Sequence, residues 1–266
     1  MKNTAAVQLN KGKFMVKKVD AAFNMYVDVM IKTLSDMVYD GDRPRGRRQK
    51  PFDPKKREVG KDWPFVAHTM IGLKRLENLA ELTDRALKEK VPGDFIETGV
   101  WRGGACALMR GILKARGITN RKVYVADSFE GLPPPNEEEY PADTGSRFHT
   151  RGQLSITQET VQKTFEKYDL LDDQVVFVKG WFKDTLHKLD CGKFALIRLD
   201  GDMYESTIQA IEALYPKLSK GGFIIVDDYG SIKACKQAIT DYREEHGITD
   251  EIHKIDFSGV WWQKSS

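Results

Sequence analysis

Between Asp94 and Glu245 the chain repeatedly exchanges one hydrophobic period for another, and this feature most narrows what it can fold into. Short apolar runs ending in polar or glycine residues, Asp94 to Glu97, Lys122 to Ala126, Val175 to Lys179, Phe194 to Leu199 and Phe223 to Val226, read as strands. Gly104 to Ala115, Gln158 to Lys167, Ser206 to Lys217 and Ile232 to Glu245 lie between or after them with helical spacing. A strand returning parallel to its neighbour needs a long crossover, usually a helix, and helices on the sheet faces keep the strands dry. The pattern predicts an α/β fold with a mostly parallel sheet. Two final runs, Glu251 to Ile255 and Val260 to Gln263, flank Ser258-Gly259 and predict an antiparallel hairpin.

Upstream, apolar residues from Ala21 to Tyr39 recur at helical spacing, giving an amphipathic helix whose stripe needs either the α/β unit or a second subunit as partner. Asp40 to Asp62 is poor in apolar residues and strongly basic from Arg43 to Arg57. It reads as a loop or arm, either a solvated linker or a cover for a pocket. Val66 to Lys88 predicts another helix. The division expected is an N-terminal helix and arm over 1–62 and an α/β domain over 63–266.

With 42 basic and 39 acidic residues the net charge is +3, too balanced to imply nucleic-acid binding. No apolar run reaches the length of a membrane helix, and the lysine-rich start lacks the apolar stretch of a signal peptide. A cytoplasmic protein is expected. Cys106, Cys191 and Cys235 are too far apart for a zinc or dithiol motif and read as reduced thiols.

Gly99, Gly103 and Gly104 follow the first strand, where backbone can approach a ligand, but their spacing is not that of a dinucleotide fingerprint. Asp127 ends the second strand, where a carboxylate can accept both ribose hydroxyls. Together they suit an adenosine-containing ligand without a bound pyrophosphate. After the third strand, Trp181 and Phe182 can pack beside an adenine or belong to the core. Asp200 and Asp202 follow one strand, and Asp227 and Asp228 follow another. Four carboxylates at adjacent strand ends call for a cation, and oxygen-only ligands favour magnesium, with manganese and calcium as alternatives.

Five ordered motifs resemble the macrocin O-methyltransferase family: Phe95 to Gly104, Asp127 to Pro133, Lys179 to Phe182, Arg198 to Thr207 and Gly221 to Tyr229. Members of that family methylate sugar hydroxyls of macrolides, aminocoumarins and related natural products. The resemblance implies a Rossmann-like class I methyltransferase fold, in which the terminal hairpin completes the sheet. It implies an S-adenosylmethionine site using Thr69, Met70, Glu97, Gly99, Asp127, Ser128, Gly180 and Trp181. It also implies Mg2+ on Asp200, Asp227 and Asp228, with Asp202 as general base.

A metal bound to neighbouring hydroxyls would lower the acceptor pKa while Asp202 takes the proton. The expected partner is a glycosylated small molecule, and a homodimer is expected. A catechol or other diol is the rival acceptor. A noncatalytic RNA-binding module and a nicotinamide dehydrogenase are rival classes, the latter opposed by the glycine spacing and the hairpin. His149 lies in the Tyr140 to Gln153 loop and reads either as part of a lid or as an exposed loop histidine.

Overall fold

Apolar strands alternating with helices fold as their pattern requires in the computed structural model, which describes residues 20–39, 52–64 and 66–265. The strands are β1 Asp94–Thr98, β2 Val123–Asp127, β3 Val175–Lys179, β4 Phe194–Leu199, β5 Leu218–Val226, β6 His253–Lys254 and β7 Val260–Gln263. Among the described residues they form one seven-stranded sheet in the order β3-β2-β1-β4-β5-β7-β6. The first five strands are parallel, while β7 runs antiparallel to β5 and β6. This is the expected mostly parallel sheet with a closing hairpin.

Helix α1 covers residues 20–34. The others are α2 Pro54–Val59, α3 Leu73–Lys88, α4 Gly104–Ala115, α5 Gln158–Lys167, α6 Phe182–Thr185, α7 Tyr204–Leu214 and α8 Lys233–Glu245. One core joins α1, α3, α4 and α5 to one face of the sheet through Leu76, Leu79, Leu108, Ile112, Phe165 and Phe95. The other joins α7 and α8 to the opposite face through Ile211, Leu214, Ile239, Tyr242 and Trp262. Each fully buried large apolar side chain contributes roughly 1.5–3 kcal/mol.

The first helix packs on the α/β unit. Phe23, Met30, Ile31 and Leu34 are buried, and Gly111 of α4 leaves room for the Met30 sulfur, which a Cβ there would meet at 2.5 Å. Arg116 ties this helix down by pairing with Asp20 at 2.9 Å and with Asp84 at 2.7 Å.

The basic segment differs from the expected loop. Of Arg43 to Arg57, residues 43–51 lie outside the described residues, but the remainder forms α2. Asp53 accepts the Lys55 and Lys56 amides, Pro54 opens the helix, and Gly60 closes it in the left-handed conformation. Its buried residue, Arg57, donates to the Met70 and Ile71 carbonyls. Helix α3 starts at Leu73, later than the Val66 start expected from sequence, and the preceding Ala67 to Ile71 segment packs instead against the start of α4. The His68 carbonyl there accepts the Gly104 amide at 2.9 Å.

Candidate active site

The chain places β2 and β3 on one side of β1 but β4 and β5 on the other, so the loops after β1 and β4 diverge and leave a crevice at their carboxyl ends. Register brings the expected residues to this one edge. The ladder continues past the strands: Gly99 N donates to Ala126, Gly180 N to Asp127, Asp200 N to Thr98 and Asp227 N to Leu199. Gly99 has φ 81°, and a Cβ there would lie 1.8 Å from the Asp200 carbonyl oxygen. Only glycine lets these two strand ends approach so closely.

A cavity of about 250 Å³ opens there. Met70, Gly99, Asp127, Ser128, Gly180, Trp181, Asp200 and Asp202 of the expected set line it, as does Phe182. Trp181 and Phe182 thus both border the cavity, and Phe182 also packs against the core on the α7 and α8 side. Thr69 and Glu97 stand behind the wall, both buried. Thr69 Oγ1 accepts the Ile71 amide at 3.3 Å. Glu97 accepts from Arg198 and, at 2.8 Å, from the Cys106 thiol. His149 is exposed.

On the β2 side, Asp127 Oδ2 accepts Val100 N and Oδ1 accepts Phe129 N, each at 2.8 Å. One carboxylate thereby joins the loops after β1 and β2. Burial pushes its pKa up, against the pull of these amides. Ser128 Oγ donates to the Gly131 carbonyl at 2.7 Å and accepts the Glu130 amide, closing the turn beside it.

On the β4 and β5 side, Asp200, Asp227 and Asp228 bring one carboxylate oxygen each within 4.8 Å of one another. Two oxygens on opposite sides of a magnesium ion at 2.0–2.1 Å stand about 4.2 Å apart, so a small closure would let the three share one hard cation. Asp228 Oδ2 is buried without a hydrogen-bond partner, an acceptor that such a cation would satisfy. The donor set is all oxygen, which fits magnesium better than zinc.

Two buried arginines underlie this cluster. Arg198 reaches Glu97, Asp227 and, at 2.8 Å, Asp200. Arg75 of α3 pairs with Asp227 and, at 3.1 Å, with Asp256 of the hairpin. With Asp202 and Asp228 included, two guanidiniums face six carboxyl groups, so negative charge remains in excess. Burial opposes the Arg198 charge, but Asp227, Asp200 and Glu97 outweigh it and hold its pKa well above the ordinary value. Burial raises Glu97 to about 7 despite Arg198. Desolvation and the charges of Asp200 and Asp227 raise Asp202 to about 7, against Arg151. Asp228 is pushed well above the carboxylate range by burial and by Asp202, Asp200 and Asp227.

Sequence reasoning did not assign roles to Arg75 or Arg198. A signal existed for Arg198, a charge inside an otherwise apolar strand, which must find partners when buried. None existed for Arg75, which lies more than 150 positions from Asp227 on an ordinary amphipathic helix.

A seven-stranded sheet of this order, with a carboxylate at the end of β2 and an acidic cluster after β4 and β5, defines a Rossmann-like methyltransferase. The sequence matches the macrocin O-methyltransferase (TylF) family over residues 8–264. It is 46% identical over 253 residues to the demethyldecarbamoylnovobiocin O-methyltransferase of Streptomyces niveus, covering 94% of this chain and 97% of that protein. It is 49% identical over 255 residues to the 8-demethyl-8-(2,3-dimethoxy-alpha-L-rhamnosyl)-tetracenomycin-C 4'-O-methyltransferase of Streptomyces olivaceus, covering 92% and 94%. The solved structure of the O-methyltransferase NovP superposes with a TM-score of 0.88 at 47% identity, over 92% of this chain and 100% of that one. The chain belongs to the macrocin O-methyltransferase family and is an S-adenosylmethionine-dependent O-methyltransferase. Among its described residues no helix is long and apolar enough to cross a membrane.

Proposed function

We propose that this enzyme methylates a hydroxyl of a sugar carried by a small molecule, using Mg2+ held by Asp200, Asp227 and Asp228. The observation that carries this reading is the approach of those three carboxylates to one another at the edge of the crevice, where Asp200 and Asp202, like Asp127, line the cavity while Asp227 and Asp228 are buried beside it. The sugar acceptor is supported by a relative whose name specifies a dimethoxy-rhamnosyl tetracenomycin, and a second relative is named for demethyldecarbamoylnovobiocin.

S-adenosylmethionine would be held by Asp127, whose carboxylate would accept its ribose hydroxyls, with Met70 and Trp181 lining the space for its adenosine and Gly99 and Gly180 leaving room for it. Ser128 closes the same wall. Glu97 and Thr69 act from behind, Glu97 through Arg198 and Thr69 by shaping the segment that carries Met70. When bound, the cation acidifies the acceptor hydroxyl and orients it. Asp202 receives the hydroxyl proton, and its pKa near 7 suits a base working near neutrality. Arg75 and Arg198 keep the carboxylates in place with good hydrogen bonds. A cytoplasmic homodimer belongs to the same reading, and sedimentation equilibrium tests the dimer.

The deciding experiment titrates S-adenosylhomocysteine with and without magnesium, then measures methyl transfer to the two named acceptor types and to catechol. Turnover of a glycosylated acceptor, abolished by chelation and by Asp202→Asn, supports the reading. Full turnover after chelation sinks the metal role, and turnover of catechol alone sinks the sugar.

A further inference from the structure

We propose that Asp143 is a positioning residue for methyl transfer, a remote cap that fixes the Asp202 turn and pins the Pro133 to Gln153 segment, which runs between the cavity-lining Pro133 and Leu154. It rests on the reading of Asp202 as the base. Helix α7 begins two residues after Asp202, and its N-cap position, Met203, has no side-chain oxygen to offer. The first amides of a helix lack partners inside it, and an acceptor from elsewhere must supply them. Asp143 does so across some sixty positions: Oδ1 accepts Tyr204 N at 2.7 Å and Oδ2 accepts Glu205 N at 2.9 Å. The carboxylate is 2% exposed. A negative charge at a helix N-terminus gains from the helix dipole as well as from charge-assisted hydrogen bonds.

Asp202 is where this support is needed. It has φ 58°, a left-handed conformation that is strained for a residue other than glycine and needs its surroundings to hold it. Met203 N donates to the Gly201 carbonyl at 2.6 Å, so the turn runs directly into the capped end of α7. If that end loosened, the Asp202 turn could relax and take the carboxylate out of line.

The segment presenting Asp143 is itself braced. Asp143 N donates to the Tyr140 carbonyl, Gly145 N donates to Glu137, and the Tyr140 ring packs on Tyr204 with centroids 5.9 Å apart. A second tether lies further along, where Trp101 Nε1 donates to the Gln153 carbonyl at 2.9 Å. Between the two tethers runs the stretch carrying Arg151, whose charge acts on Asp202. Asp143 thus anchors one end of a strap whose other end rests on the cofactor side of the cavity.

The test compares Asp143→Ala and Asp143→Asn with the native enzyme, well below their melting temperatures, by amide exchange, trypsin cleavage, S-adenosylhomocysteine calorimetry and turnover of the glycosylated acceptor. Expected for Asp143→Ala are at least tenfold faster exchange at Tyr204 and Glu205 and faster cleavage after Arg147 or Arg151. Its kcat should fall tenfold or more, with KM for S-adenosylmethionine and affinity for S-adenosylhomocysteine within twofold of native. Asp143→Asn, which keeps one acceptor oxygen, should lie between. A merely structural loss would lower cofactor affinity and kcat together. Native exchange rates at Tyr204 and Glu205 overturn the cap, and fast exchange with native kcat overturns the positioning role. If Asp202→Asn stays active, the base assignment fails separately, and the positioning proposal with it, while amide exchange still decides the cap.

Discussion

On the β2 side of the cavity, Asp127 spends both oxygens on backbone amides, so its geometry is set by the turns it joins and needs no counterion. On the β4 and β5 side, Asp200, Asp202, Asp227 and Asp228 crowd together over Arg75 and Arg198, which also serve Glu97 and Asp256. One half is electrostatically closed by peptide dipoles. The other holds more negative charge than its arginines neutralise and is completed by protons or by a cation. The first suits a neutral, hydroxyl-bearing adenosine. The second suits chemistry in which a proton must leave.

The comparison can be broken most severely at the open half. Asp228→Ala should reduce turnover by a factor of about 10³ or more, several kcal/mol of transition-state stabilisation, with S-adenosylhomocysteine binding changed less than threefold by calorimetry. An equal loss in binding and turnover would mean that the halves are not separate. Arg198→Met leaves Glu97 and Asp200 without their arginine and Asp227 with Arg75 alone, and breaking such a network costs about 3–5 kcal/mol. Urea unfolding should show this loss, and added magnesium should restore part of it.

At the closed half, Asp127→Asn should weaken S-adenosylhomocysteine binding by roughly 10–100-fold, the range of one or two hydrogen bonds to a charged group, without altering magnesium affinity. A pH series sharpens the contrast further. Glu97 and Asp202 have folded pKa values of about 7, raised from ordinary carboxylate values of 4.5 and 3.8. Across that interval the folded chain holds more protons than the unfolded one, so stability is full at the acid end and falls as pH rises through 7. The melting temperature of chelated protein should drop between pH 5.5 and 7.5, and Glu97→Gln should flatten the drop. A rising profile would contradict the assigned shifts. The smallest effect is expected for Cys106→Ala, which removes a buried thiol donor to Glu97 at a cost of about 1 kcal/mol, with kcat unchanged.

Much of this was legible in the residues. The boundaries of β3, β4, α4 and α5 follow their apolar runs because both local propensity and burial favour the same ends. Helix α2 reads as loop in the sequence because it has no apolar stripe, although Asp53-Pro54 and Gly60 are a start and a stop. Its stability comes from a charged residue, Arg57, buried against carbonyls that no periodicity could place there. Thr69 and Glu97 belong to the cofactor set that the resemblance implies, yet both are buried and neither lines the cavity. Motif membership gives neighbourhood along the chain, whereas facing depends on which side of a strand or turn a side chain leaves.

By itself, the sequence determined the order of strands and helices, the family and the residues that end each strand. Hydrophobic period, turn chemistry and short motifs are local and survive without knowledge of partners. Only the tertiary structure decided that Arg75 meets Asp227, that Arg198 reaches back to Glu97 beneath the acidic cluster, and that Asp143 caps a helix far along the chain. Those pairings bridge 152, 101 and 61 positions. Contacts of that range are set by how the layers pack, and a buried charge takes whichever partner packing brings within reach.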